Sequence, residues 1–351
     1  MNPRTRWLLG GVAAASAAAG VLHYADAPAL VAFVVAGIAL AGLAWVVSFT
    51  TEQVGEQFGP AVAGILQSTL GNLPEFFVVV FALSAGEVVV AQFSIIGSIF
   101  ANALLVLGIV IVVGARESSD GIMRFSPRLP QDTTTLLLLS GFIIVLVGIS
   151  AQTHDRASDD IVTISAIAAV LVLIVYGVWV YGYLKTSSRA AAGQPRPPRR
   201  MPLRTSIGLL ALGGVGAAFV SEWFVDALRP TIDQLGISAQ FAGLVIVAIA
   251  GNAVEHAAGV VLAAKGHADL AISVVKNSVA QIAAFLAPAL VLVSLLFAER
   301  LTFDLAPVYV AALALTILSI WQVTGDGEAT YFEGAALIAT YVILAVFTLY
   351  E

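Results

Sequence analysis

The chain has no cysteine. That excludes disulfides, thiolate metal centres and cysteine nucleophiles, and it leaves the compartment open. Histidine is nearly as scarce, with four residues in 351. None is spaced as H-E-x-x-H, and Glu255 and His256 are simply adjacent, so the pattern argues against a metallohydrolase. The expectation is a protein that is not an enzyme and carries no cofactor. Charge is the third scarcity: Asp, Glu, Lys and Arg make up 11% of the residues, against roughly 25% in a soluble domain. The net charge of −6 is spread along the connecting segments and implies no nucleic-acid partner.

Apolar residues fill the space left by the missing charge. They are 60% of the chain, and the mean hydropathy is +0.98. Apolar runs long enough to span a bilayer lie at 6–24, 28–50, 58–84, 88–114, 133–151, 160–184, 204–226, 238–264, 268–297, 305–324 and 330–350. The sequence therefore predicts an all-α polytopic membrane protein with eleven transmembrane helices, embedded in a lipid bilayer. The opening MNPRTR is basic, but no convincing cleavage site follows, so the first run reads as a retained span.

Lys and Arg set the expected orientation. With the N-terminus in the cytoplasm, twelve of the sixteen fall in cytoplasmic segments. Only Arg156, Arg229 and Arg300 fall outside, and Lys276 lies within a span. The positive-inside rule thus places the C-terminus on the extracytoplasmic side of a prokaryotic-type cell membrane. One low-complexity stretch, KTSSRAAAGQPRPPRR at 185–200, divides the chain. The expected organisation is an extra N-terminal helix (1–27), a first five-helix repeat (28–184), a basic cytoplasmic linker (185–203) and a second five-helix repeat (204–351).

Two short blocks support the duplication. Gly71-Asn72-Leu73-Pro74-Glu75 and Gly251-Asn252-Ala253-Val254-Glu255 share G-N-x-x-E, 180 residues apart. At the same offset Gly86 matches Gly266, Ala91 matches Ala271, and Ser98 matches Ser278. Their spans are five helices apart, an odd number, so the two repeats enter the membrane from opposite faces, as in many secondary transporters. A carboxylate deep in an apolar helix is costly and marks a functional site by default. Gly71 and Gly251 weaken the helical ladder, and Pro74 removes a backbone donor. Asn72 and Asn252 bring amide oxygens, and Glu75 and Glu255 follow three residues later on nearly the same helical face. Carboxylate, amide and freed carbonyl oxygens are the hard ligands that Ca²⁺ takes in sets of six to eight.

Each repeat continues into a second polar stretch, Gly97-Ser98-Ile99-Phe100-Ala101-Asn102 and Asn277-Ser278-Val279-Ala280-Gln281. Ser98, Asn102, Ser278 and Gln281 add neutral oxygens to a cation path, and interhelical hydrogen bonding accounts for them equally well. His256 fits either a proton relay or an interhelical hydrogen bond.

Most of the chain resembles the Ca²⁺/cation:proton antiporter (CAX) family of the cation/Ca²⁺ exchanger superfamily. The resemblance rests on TEQVGEQFGPAVAGILQSTLGNLPEFFVVVFALSAG with GSIFANALLVLG, on WFVDALRPTIDQLGISAQFAGLVIVAIAGNAVEHAAGVVLAAKGHADLAI with QIAAFLAP, and on the terminal DGEATYFEGAALIATYVILA. It implies eleven helices with two inverted five-helix repeats. It also implies that Glu75 and Glu255 bind metal ion and protons alternately, with Asn72, Asn252, Ser98, Asn102, Ser278 and Gln281 lining the path. The family usually shows G-S-S-x-Q where this chain has Asn277-Ser278-Val279-Ala280-Gln281 preceded by Lys276. Lys276 fits two readings, a structural pairing with an acid or a modifier of ion selectivity.

The implied activity is secondary antiport of cytoplasmic Ca²⁺ against protons by alternating access. A lone carboxylate in a low dielectric favours its protonated form, and a bound cation favours the ionised form. The same two glutamates would thus hold either protons or Ca²⁺. A monovalent cation (Na⁺ or K⁺)/H⁺ antiporter on the same fold is the alternative, and a cation channel is a weaker one, because internal inverted repeats favour a carrier.

Overall fold

Lipid offers no hydrogen bonds, so apolar runs of this length satisfy their backbone within helices. The computed structural model describes residues 3–58, 66, 69–126, 128–190 and 201–351. The helices are α1 (Pro3–Tyr24), α2 (Ala29–Phe58), α3 (Leu73–Ser84), α4 (Val88–Glu117), α5 (Arg128–Thr153) and α6 (Ile161–Ala190). They continue with α7 (Leu203–Leu235), α8 (Ala239–Gly251), α9 (Ala253–Ala264), α10 (Ala268–Ser294), α11 (Pro307–Thr324) and α12 (Tyr331–Leu349). Among the described residues nine helices are long and apolar enough to cross a membrane. The pair α8 and α9, bent by 62°, makes a tenth if counted as one span. The expected span at 58–84 is described mainly in its second half, α3, since residues 59–65 and 67–68 lie outside the described set. The protein is an all-α polytopic membrane protein.

Two local expectations change. The segment around Arg229 and Pro230, read as a connection, is helical: α7 runs through Pro230 and stops at Gly236, whose φ of 63° ends the helix in the left-handed region. The connection after α4 holds a strand, β1 (Ile122–Arg124), which pairs antiparallel with β2 (Glu328–Thr330) in the register Met123↔Ala329. Arg124 reaches Asp120 at 2.7 Å and Glu328 at 3.2 Å, and the paired Asp120 carboxyl is held below its ordinary range by the guanidinium.

The contacts define two compact units, each assembled from segments before residue 191 and after residue 200. The first comprises residues 1–86, 175–237 and 250–252. Within it α2 packs along α7, and α1 and α3 pack on the same pair. Small residues permit close approach: a Cβ on Gly213 would meet Val46 at 3.1 Å, and one on Gly20 would meet the Trp223 ring at 2.9 Å.

The second unit comprises residues 87–174, 238–249 and 253–351. Here α4 crosses α8, and a Cβ on Gly97 would fall 2.4 Å from the Leu244 backbone. A Cβ on Gly243 would meet Phe93 at 2.8 Å from the other side. The crossing is therefore backbone on backbone and admits no side chain at either glycine. In α4, α8 and α10 the ladder widens to π-helix at Ala101–Val106, Ala242–Val247 and Ile282–Leu286. Such segments are rare and concentrate at functional sites. The first and third lie close to the repeat offset; the first begins at Ala101, within its polar stretch, and the third directly after Gln281. Ser140 of α5 donates to the Ala283 carbonyl at 2.9 Å inside the third, giving that widened turn a partner.

Candidate cation-binding sites

Both G-N-x-x-E motifs break their helices. Gly71 and Asn72 form a turn, and Asn252 is the single non-helical residue between α8 and α9. Pro74 falls in the first turn of α3, where a missing N–H costs nothing, so it helps start a helix instead of kinking a continuous one. Each carboxylate consequently stands in the first turn of a half-helix, Glu75 in α3 and Glu255 in α9. Exposed backbone N–H groups there favour negative charge.

The first unit holds Gly71, Asn72, Glu75, Gly251 and Asn252. Glu75 is 3% exposed, and Asn72 and Asn252 are buried. Gly251 lies against the Glu75 side chain, with room for a Cβ at 3.7 Å, in ordinary contact. Ser221 of α7 donates to the Pro74 carbonyl at 3.4 Å, a contact to the broken helix that the sequence did not signal. A groove of about 590 Å³ between α3 and α7 is lined by Leu73, Phe77, Phe81, Gly214, Phe219 and Glu222 among others. Its walls are almost wholly apolar, and among the described residues Glu222 is the one ionisable side chain lining it.

The second unit holds Ser98, Asn102, Glu255, His256, Lys276, Ser278 and Gln281. The Ser278 hydroxyl donates to a Glu255 carboxylate oxygen, joining two of the expected site residues. Asn102, at the start of the π segment of α4, donates its amide to the Ser98 carbonyl at 2.9 Å. Its Oδ1 is buried without a partner among the described residues. The same is true of His256 Nε2 and of Asn277 Oδ1. Gln281 closes the first stretch of α10 and is half-buried. Among the described residues no three His, Asp or Glu side chains cluster.

Lys276 is 2% exposed and turned away from this group. Its Nζ donates to Thr134 at 2.7 Å and Thr324 at 3.5 Å, hydroxyls of α5 and α11. At about 100° per residue it stands some 200° around α10 from Ser278. Neither of these partners is a carboxylate, so the structural pairing with an acid is not what the described residues present.

Broken apolar helices, each with a carboxylate at the break, define a membrane transporter of duplicated type. The sodium/calcium exchanger protein family matches residues 28–185 and 205–350, and the chain belongs to that family. A vacuolar calcium ion transporter of Schizosaccharomyces pombe is 32% identical over 90% of this chain and 78% of its own length. A Ca²⁺/H⁺ antiporter of Synechocystis is 30% identical over 90% and 89%. The solved structure of native YfkE superposes with a TM-score of 0.82, at 26% identity over 98% of this chain and all of its own. The solved H⁺/Ca²⁺ exchanger CAX, at 16% identity and a TM-score of 0.75 over 98% of this chain and 89% of its own, shares the fold.

Proposed function

We propose that this protein is a secondary antiporter that exports cytoplasmic Ca²⁺ in exchange for protons. The observation that carries the proposal is the repeated break: two half-helices, each opening on G-N-x-x-E with its carboxylate in the first turn. The names of the relatives point to the same pair of substrates. No specific observation favours the monovalent alternative.

In this reading Glu75 and Glu255 are the coupling groups. A buried carboxylate is costly in its ionised form unless a counter-charge neutralises it, so in this reading each holds a proton or a cation. Ca²⁺ arriving displaces protons, and protons arriving displace Ca²⁺. If only loaded states interconvert, the two flows are coupled. Asn72, Asn252, Ser98, Asn102, Ser278 and Gln281, with the backbone at Gly71 and Gly251, supply neutral oxygens to the ion. Ser278 orients Glu255 through its hydrogen bond, and His256, the next residue along the chain, relays protons in this reading. Lys276 modifies ion choice through its charge, acting across the helix. The N-terminus is cytoplasmic and the C-terminus extracytoplasmic.

The test is Ca²⁺ uptake into inside-out vesicles with an acidic interior, with a protonophore control. Uptake that collapses with protonophore and is absent in Glu255→Gln is expected. Normal exchange in Glu75→Gln or Glu255→Gln would sink the assignment of the glutamates. A wild-type protein that leaves Ca²⁺ unmoved while Na⁺ or K⁺ dissipates the pH gradient would sink the choice of Ca²⁺.

A further inference from the structure

Two buried side-chain amide oxygens lack a hydrogen-bond partner among the described residues: Asn102 Oδ1 and Asn277 Oδ1. Buried polar atoms in folded proteins are nearly always satisfied, and an exception calls for a reason. For Asn102 a reason exists already, since its residue type and place put it on the expected cation path. Asn277 has no such assignment.

Its position supplies one. Asn277 immediately precedes Ser278, whose hydroxyl donates to Glu255. It stands about 100° around α10 from Ser278 and equally far from Lys276, between the two, and shares its stripe with Gln281 one turn further on. The first stretch of α10 packs on α9, which carries Glu255, and on the π segment that carries Asn102. At the repeat offset the residue equivalent to Asn277 is Gly97, where the backbone crossing excludes any side chain. The second repeat thus bears an amide where the first has none, and that amide's oxygen is left without a donor.

We propose that Asn277 is a cation ligand and a determinant of ion selectivity, contributing a neutral oxygen beside Glu255. Ca²⁺ takes six to eight oxygens, whereas Mg²⁺ demands a tight octahedron of six and keeps several of its waters. An added neutral oxygen favours the larger ion with the higher coordination number. The proposal rests on the Ca²⁺ reading of the previous section.

The experiment measures melting temperature in detergent as a function of Ca²⁺ and, separately, Mg²⁺, for the full chain, Asn277→Ala and Asn277→Asp. A ligand that binds the folded state raises the melting temperature by an amount that grows with the logarithm of its concentration relative to its Kd. Asn277→Ala removes an unsatisfied oxygen and adds a good helix former, so the metal-free melting temperature should hold or rise. The Ca²⁺ concentration needed for a given thermal shift should rise several-fold, with less change for Mg²⁺. Asn277→Asp, which keeps an oxygen at the same place, should restore or strengthen the Ca²⁺ response. An unchanged Ca²⁺ response in Asn277→Ala overturns the proposal, as does a response lost equally in Ala and Asp. A wild-type chain with no Ca²⁺ response overturns the Ca²⁺ reading and this proposal with it. A wild-type response matched by both variants overturns this proposal alone.

Discussion

Helices α4 and α10 occupy equivalent places in the two repeats and lie in one compact unit, yet they have diverged unevenly. Both carry a serine at the repeat offset, Ser98 and Ser278, and both widen to π-helix just after it. They differ in the residues around the serine. Before it, α4 has Ile96 and Gly97, and α10 has Lys276 and Asn277. After it, α4 has Asn102 where the offset places Ile282. The backbone irregularity is common to both repeats, while the amides differ: α4 has Asn102 after its serine, and α10 has Asn277 before and Gln281 after. The path of the chain is therefore what the two copies share, and the side chains around it are where they specialise.

The glutamates give the largest test of that symmetry. Glu75→Gln and Glu255→Gln should each reduce proton-coupled Ca²⁺ uptake to background, with both variants still folded by melting temperature. Retained exchange in one of them would break the symmetry and confine coupling to a single repeat. Next in size is the glycine. Gly97→Asn copies α10 into α4, and its Cβ would meet the Leu244 backbone; a loss of about 3 kcal/mol is expected from overpacking, read from denaturation. An unperturbed variant would mean that the crossing can open.

Lys276→Ile performs the opposite exchange, giving α10 the residue of α4. A buried charge replaced by an apolar side chain is often neutral or stabilising, here by about 1 kcal/mol. Removing a nearby positive charge should also strengthen Ca²⁺ binding several-fold, measured by titration of the thermal shift. Unaltered affinity would leave Lys276 a packing residue held by Thr134 and Thr324. The smallest effect lies outside the comparison, at Asp155. Its carboxyl accepts from Ser150 at 2.6 Å and caps the turn Arg156–Asp160, and the Ser150 hydroxyl holds it below the ordinary carboxylate range. A lowered carboxyl stabilises the fold above its unfolded value and loses that contribution as pH falls through the folded one. Asp155→Asn should thus melt slightly earlier than wild type at neutral pH and alike in acid. A gap that persists in acid would deny the carboxylate this role.

Much of this was legible in the sequence because lipid leaves apolar runs few options. The helical class and the repeated G-N-x-x-E could be read from spacing alone, since α-helical geometry links residues three and four apart; the Ser278–Glu255 hydrogen bond joins two helices across 23 positions and had no such signal. Lys276 could have been read further: two residues from Ser278 already meant opposite sides of α10. The π segments left no sign, because widening a turn by one residue requires no particular composition. The strands β1 and β2 were hidden for another reason: each is three residues long, and their partners lie some 200 positions apart. The extension of α7 through Pro230 was missed because proline near a helix end reads as a stop. The two compact units were also illegible, since their boundaries ignore the linker that composition makes conspicuous.

That disregard for the linker has a consequence for how the chain could be made. Residues before 191 and after 200 are interleaved twice, through α2 with α7 in one unit and through α4 with α8 and β1 with β2 in the other. Peptide continuity across that gap then acts as a tether that raises the effective concentration of one fragment around the other. Two separately translated fragments, split between residues 190 and 201, would carry the two sides of each of these pairings on different chains.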